Sequence, residues 1–179
     1  QPAWIDQVVY VPQRNAGVAV ARNRALLMAT GQFVQFVDGD DLLLQTPYEH
    51  VLDLLRYGKA DMVMFDHTNT PMGAVDYADN GPMAGPELMW KHNIHGAAWG
   101  YAFSRNILGE LRFTPGVAYG EDEEFTPLLL LRAERVLRTT AQAYYYRQRQ
   151  TSAIGNASEA NRQHRLDNTQ AVIVRLKRK

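Results

Sequence analysis

Residues 31–41 have the sequence Gly-Gln-Phe-Val-Gln-Phe-Val-Asp-Gly-Asp-Asp, an apolar run that ends in three carboxylates. Phe33–Val37 predicts a strand, because β-branched and aromatic side chains dominate it. On its amino-terminal side, small and apolar residues recur at helical spacing from Val18 to Met28 and predict a helix. A second helix should follow the acids, since Pro47 suits a first helical turn and Gly58 suits a helix end.

The alternation of strands and helices continues on both sides of this stretch. Gln7–Val11 and Met62–Phe65 predict two further strands, and such a series with short joints is typical of an α/β domain with a mostly parallel sheet flanked by helices. Asn69–Gly85 is rich in Gly, Pro, Asn and Asp and predicts a loop. Further on, the patterns predict a helix, a strand, a helix, a last strand and a polar helical tail, at 86–92, 98–103, 120–131, 142–147 and from 157.

Length, composition and charge exclude several classes of protein. The chain has 179 residues, of which 46% are hydrophobic and 21% charged, as expected of one globular domain with a substantial core. Nineteen basic residues balance nineteen acidic ones, so no net positive field favours nucleic acid as a partner. The sequence has no cysteine, which excludes disulfides, thiol nucleophiles and thiolate metal sites.

Two acidic clusters are the first candidates for chemistry. Asp38, Asp40 and Asp41 follow a predicted strand, at the sheet edge where parallel α/β domains bind ligands. Such a cluster favours a divalent cation that shares phosphate oxygens; alternatively, it forms a turn and caps the next helix. The run from Glu121 to Glu124 can supply a general base, or it only complements the dipole of a helix.

Arginine and tryptophan side chains are the second group of candidates. Arg22 and Asn23 on the first helix suit a phosphate or a base edge, and equally a solvated helix face. Trp99 lies between glycines and suits either a sugar ring or the core. Arg147 and Arg149 follow the last predicted strand, where they can close over a diphosphate or remain surface residues.

In their order and spacing these pieces resemble a family 2 glycosyltransferase of the GT-A type, from about Val8 to Ser152. The matching motifs are Asn15-Ala-Gly17, Ala21-Arg22-Asn23, Gly31–Asp41, Ala98-Trp99-Gly100, Gly120-Glu121-Asp122 and Tyr144–Ser152. The resemblance implies a GT-A (Rossmann-like) catalytic domain over residues 1–153 and a polar, basic helical tail over residues 154–179. The family normally begins with strands and a helix that hold the nucleotide base, and the residues before Gln7 are too few to supply them. The resemblance therefore implies a domain that is incomplete at its amino terminus.

The family's activity gives each candidate an expected function. The resemblance implies an inverting enzyme of polysaccharide biosynthesis that moves a sugar from a nucleotide-diphosphate donor, with a UDP-sugar expected, to a glycan or lipid-linked acceptor. Mn²⁺ or Mg²⁺ is the implied cofactor. By this resemblance Asp38 and Asp40 form the DxD motif that binds the donor ribose and the metal, with Asp41 as a helper acid. Asp122 is the base, Glu121 orients it or holds the acceptor, and Trp99 lies at the acceptor site. The residues expected near the nucleotide and its diphosphate are Arg22, Asn23, Arg147 and Arg149.

Location, partners and one other activity stay open at this point. A cytoplasmic enzyme is expected, and its basic tail either contacts the anionic inner face of a membrane or forms a solvated helix. The sheet edge left by an incomplete amino terminus is a site for association, so a homo-oligomer is expected as one outcome. The alternative function is a non-catalytic remnant that binds a glycan or a partner chain. A haloacid dehalogenase-type phosphotransferase also uses Asp-x-Asp, but Leu42 and Leu43 stand where that family has Thr or Val.

Overall fold

The computed structural model describes residues 5–72, 76–147 and 159–178. Its helices are α1 (Val18–Met28), α2 (Gln45–Tyr57), α3 (Gly85–Lys91), α4 (Arg105–Leu108), α5 (Glu121–Leu130) and α6 (Glu159–Leu176), with 3₁₀ turns at Ile5–Gln7 and Ala98–Gly100. Its strands are β1 (Phe33–Gln35), β2 (Leu42–Leu43), β3 (Met62–Thr68), β4 (Asp79–Met83), β5 (Tyr101–Ser104) and β6 (Val136–Tyr145). The predicted α/β class and the carboxy-terminal helix are confirmed.

The six strands form one mixed sheet in the order β1-β5-β3-β6-β2, with β4 also paired to β6. β3 and β6 are parallel, whereas β5 is antiparallel to both of its neighbours, β1 and β3. β1, β3 and β6 therefore run in one direction, as in the Rossmann-like arrangement that the sequence predicts. The sheet has fewer parallel pairs than expected because β5, β2 and β4 each enter it in the opposite direction.

The core lies on both faces of the sheet, and β3 supplies side chains to each. Met62 and Met64 belong to one buried cluster, and Val63 and Phe65 belong to the other, because successive side chains of a strand point to opposite faces. Helix α5 covers the first face with Phe125 and its neighbours, and α2 covers the second. A central strand that is buried on both faces explains the continuous apolar run from Met62 to Phe65.

Three local predictions differ from the structure. Gln7–Val11 is not a strand: Tyr10 is 85% exposed, and the described chain places no strand beside this segment. The segment from Asn69 to Gly85 is not all loop, since β4 pairs with β6 through its backbone, an interaction that loop-type side chains do not reveal. The last strand begins at Val136 rather than near Gln142. The prediction missed its first half because apolar and polar residue types do not alternate there, although burial does.

Candidate functional site

The acidic turn, residues 38–41, lies between β1 and β2 and is fixed by the end of β6. The Asp41 backbone N–H donates to the Asp38 carbonyl oxygen at 3.1 Å. Asp41 is buried, and its two carboxylate oxygens accept hydrogen bonds from the Tyr144 hydroxyl and the Arg147 backbone N–H, both at 2.8 Å. The Tyr144 hydroxyl oxygen in turn accepts from the Asp38 N–H at 3.1 Å. Asp41 therefore anchors the turn, and its assistance to a metal stays a prediction.

Arg22 joins the acidic turn to the start of α5. Its guanidinium contacts Asp38 Oδ1 at 2.9 Å and Glu121 Oε1 at 3.0 Å, and its side chain is only 10% exposed. The guanidinium also lies 5.4 Å from the centre of the Phe113 ring, close enough for a cation–π interaction. One buried cation thus holds together three segments that are distant in sequence. Its contact with a nucleotide stays a prediction.

Glu121 and Asp122 begin α5 directly after Gly120, whose φ of 80° places it in the left-handed region that suits glycine. Burial raises the pKa of the Glu121 carboxyl, as does the neighbouring charge of Asp122, while Arg22 opposes the shift. Burial also raises the pKa of the Asp122 carboxyl, and Arg22 and nearby backbone groups partly offset this effect. A carboxylate with a raised pKa binds a proton more readily, which is the property that a general base requires.

An aromatic cluster lies beside the acidic turn and consists of His67, His95, Trp99, Tyr144 and Tyr146. The Trp99 ring stacks on Tyr144 at 4.4 Å and 12°, on His95 at 5.5 Å and on Tyr146 at 5.9 Å. His67 meets Trp99 edge-on at 5.0 Å. Trp99 is partly buried, and His67 is exposed. The indole is thus partly covered by these rings, and its contact with the apolar face of a sugar stays a prediction.

The glycine after Trp99 has a packing role. The His95 ring occupies the space that a Cβ on Gly100 would need. The contact with His95 therefore explains the glycine at position 100.

The remaining predicted residues occupy different positions. Asn23 Nδ2 donates a hydrogen bond to the Phe113 carbonyl oxygen, and Asn23 Oδ1 accepts one from the Phe113 backbone N–H, each at 2.8 Å. This side chain therefore anchors the segment before α5. Asp40 is partly buried in the acidic turn, and the Arg147 residue is exposed. Arg149 lies outside the described residues. The nucleotide contacts expected of Asn23 and Arg147 stay predictions.

Sequence reasoning missed His67 because the predicted third strand ended at Phe65. The structure extends β3 to Thr68. The available signal was the position of His67 just beyond an apolar strand, at the edge where an α/β sheet binds ligands.

The acidic turn suits a metal that the substrate helps to bind. In the part of the chain that the structure describes, no cluster of three or more His, Asp or Glu side chains could hold a metal alone. Mg²⁺ usually takes only one or two carboxylates together with substrate phosphates. Asp38 and Asp40, both partly buried in one turn, fit that donor set.

The sequence of this chain matches a known protein family. Residues 3–112, more than half of the chain, match the family described as Glycosyl transferase family 2. The chain belongs to this family. It is 24% identical over 164 residues to the minor teichoic acid biosynthesis protein GgaB of Bacillus subtilis, covering 88% of the chain and 18% of GgaB. It is 26% identical over 159 residues to the uncharacterized glycosyltransferase YibD of Escherichia coli, covering 78% of the chain and 45% of YibD. The chain thus spans less than half the length of these family relatives.

Solved structures resemble the fold of this family 2 chain. The crystal structure of S. aureus TarS 1-349 in complex with UDP-GlcNAc matches with a TM-score of 0.69 and 18% identity, over 92% of this chain and 48% of that one. Glucosyl-3-phosphoglycerate synthase from Mycobacterium tuberculosis matches with a TM-score of 0.51 and 21% identity, over 94% and 57% of the two chains. These likenesses confirm the expected GT-A fold. None of the helices in the described part of the chain is both long and apolar enough to span a bilayer.

Proposed function

We propose that this chain carries the catalytic site of an inverting glycosyltransferase that moves a sugar from a UDP-sugar to a hydroxyl of a glycan or lipid-linked acceptor. The observation that carries the proposal is the bridge from Asp38 through Arg22 to Glu121, which brings the acidic turn next to Asp122. Membership of the glycosyltransferase family and the UDP-GlcNAc complex of TarS support a nucleotide-sugar donor.

The donor end of the proposed site is the acidic turn. Asp38 and Asp40 would hold Mn²⁺ or Mg²⁺ together with the donor diphosphate, and Asp38 would also contact the ribose. A bound divalent ion supplies Lewis-acid stabilisation of the charge on the leaving diphosphate. The contacts of Asp41 with Tyr144 and Arg147 fix the turn before the donor arrives, which lowers the cost of ordering it. The side chains of Arg22, Asn23, Arg147 and Arg149 are proposed to lie near the nucleotide and the diphosphate.

The acceptor end of the proposed site is the start of α5. Asp122 removes the proton of the acceptor hydroxyl as its oxygen forms a bond to the anomeric carbon and the bond from that carbon to the diphosphate breaks. Attack from the side opposite the leaving group inverts the configuration. Glu121, held by Arg22 at 3.0 Å, orients the base, and Trp99 receives the apolar face of the acceptor sugar.

Donor binding is tested by calorimetric titration of UDP with and without Mn²⁺. We expect binding that depends on Mn²⁺ and is lost in Asp40→Ala. The control is Asp53→Ala, which removes an exposed acid from α2 and should bind UDP as the wild type does. If the wild type binds no UDP in either condition, the donor site is refuted, and glycan binding without donor binding would favour the non-catalytic alternative.

Base catalysis is tested in Asp122→Asn. General base catalysis contributes about 10²–10⁴-fold, so turnover should fall by that factor while UDP affinity is unchanged. Glu123→Gln, which changes an exposed acid in the same helical turn, is the matched control. Full turnover in Asp122→Asn would assign the base to another residue.

The location and partners of the enzyme are part of the proposal. We propose a cytoplasmic enzyme that acts at the inner face of the membrane, with homo-oligomers formed through the sheet edge at β1. Arg175 pairs with Glu124 within the chain, so Lys177 and Arg178, which are exposed, are the tail residues proposed to contact anionic lipid. Binding to phosphatidylglycerol vesicles that Lys177→Gln/Arg178→Gln does not reduce would oppose this contact.

A further inference from the structure

Helix α6 packs against the short segment that carries Glu121 and Asp122. We call residues 118–124 the base segment. Four contacts from α6 span it: the Arg165 guanidinium lies 5.2 Å from the centre of the Tyr119 ring, the Ala118 N–H donates to Asn168 Oδ1 at 3.4 Å, Val172 Cγ2 lies 3.8 Å from where a Cβ on Gly120 would be, and Arg175 Nε donates to Glu124 Oε2 at 2.8 Å. The side of α6 that makes these contacts includes Val172, which is buried.

The ion pair between Arg175 and Glu124 is the strongest of these contacts. The Glu124 side chain is only 4% exposed, and that of Arg175 is 29% exposed. Loss of one partner leaves the other charge buried without compensation, which strongly favours local rearrangement. Glu124 lies in the first turn of α5, where its N–H donates to the Gly120 carbonyl oxygen at 3.2 Å. A displacement of Glu124 therefore moves the turn that holds Asp122.

We propose that α6 clamps the base segment, and that Arg175 is a positioning residue for Asp122 that acts through Glu124. The catalytic part of this inference rests on the proposed function. Helix α6 then contributes to the geometry of the site. Arg22 joins Glu121 of this segment to Asp38, but Tyr144 holds the acidic turn separately. We therefore expect the clamp to act on the base.

Hydrogen–deuterium exchange in the intact 179-residue chain tests the clamp without any substrate. In Arg175→Met, the amides of residues 118–124 should exchange about tenfold faster or more, because local opening becomes easier. Amides of β3 should keep their wild-type rates. Gln170→Met, on the same helix but exposed, is the matched control and should change neither region.

Steady-state kinetics test the positioning function. In Arg175→Met, kcat should fall about tenfold, a change of about 1.4 kcal/mol in barrier height, with the donor KM unchanged. Arg175→Lys keeps the charge and should recover most of the lost kcat. The double variant Glu124→Gln/Arg175→Met leaves no unpaired buried charge. Its exchange should therefore return toward the wild-type rate if Arg175 acts through Glu124.

Each outcome decides the proposal. Unchanged exchange of the base segment in Arg175→Met overturns the clamp. Faster exchange with the same kcat as Gln170→Met overturns the positioning function. If the wild type transfers no sugar, the proposed function fails, and the exchange experiment still decides whether α6 clamps the segment. If Arg175→Met does not fold, Arg175→Lys and the double variant are compared in its place.

Discussion

Replacing Tyr144 by phenylalanine should release the acidic turn while leaving the aromatic cluster in place. The variant lacks only the hydroxyl, which donates to Asp41 Oδ2 at 2.8 Å and accepts from the Asp38 N–H at 3.1 Å. The ring itself, stacked on Trp99 at 4.4 Å, is unchanged. Tyr144 is fully buried and Asp41 nearly so, and water therefore cannot easily replace the lost hydroxyl.

The expected loss follows from these two bonds. A hydrogen bond to a charged group contributes about 1.5–3 kcal/mol and a neutral one about 0.5–1.5 kcal/mol. The free energy of unfolding should therefore fall by about 2–4.5 kcal/mol. Because Asp38 and Asp40 lie in the released turn, affinity for UDP with Mn²⁺ should fall as well.

Urea denaturation followed by tryptophan fluorescence measures the first effect, and calorimetry measures the second. Tyr145→Phe removes the hydroxyl of the next residue in β6, whose side chain points to the opposite face of the sheet, and serves as the control. If Tyr144→Phe is as stable as Tyr145→Phe and binds UDP equally well, then the hydroxyl does not hold the turn and the reasoning is wrong.

Three further substitutions test other parts of the site. Asn23→Leu removes both bonds to the Phe113 backbone and should lower the free energy of unfolding by about 1–3 kcal/mol, measured in urea. Gly100→Ala places a methyl group in the His95 ring, so its melting temperature should fall clearly. Because the pKa of Asp122 is raised, this carboxyl is more protonated in the folded state than in the unfolded chain between the two pKa values. Its contribution to wild-type stability therefore falls as pH rises through that window. Asp122→Asn lacks this loss, so its stability relative to the wild type should increase with pH across the same window in urea titrations.

Each of these three predictions has a control variant or an outcome that would contradict it. Gly39→Ala is the control for Gly100→Ala, since a Cβ at Gly39 meets nothing within 4 Å. A stability difference for Asp122→Asn that is constant with pH would contradict the raised pKa. An Asn23→Leu variant as stable as the wild type would mean that the Phe113 backbone finds other partners.

Local features of the site could be predicted from sequence because their signals lie within a few residues. The apolar run before Asp38 predicts a strand end, and Gly58 predicts the end of α2, where the structure has its C-cap. The acids from Glu121 predict the first turn of α5. In each case hydrophobic period and terminal residue types specify the local backbone.

The contacts between these features could not be predicted from local patterns. Arg22 on α1 gave no sign that it pairs with Glu121, because the pairing depends on the order of strands in the sheet. The position of β5 between β1 and β3, antiparallel to both, also depends on the order of strands, so local patterns do not predict it. The sequence predicts only a polar, basic tail around Arg175, because composition alone does not show which side of a polar helix is packed.

The bond between Arg22 and Glu121 joins residues 99 positions apart, and that between Tyr144 and Asp41 joins residues 103 positions apart. Closing loops of this length costs chain entropy, and folds dominated by such contacts form slowly. The acidic turn and the base segment therefore come together only when most of the chain has already folded. In refolding, recovery of UDP binding should lag behind recovery of helical circular dichroism, since the local helices can form before the distant partners meet.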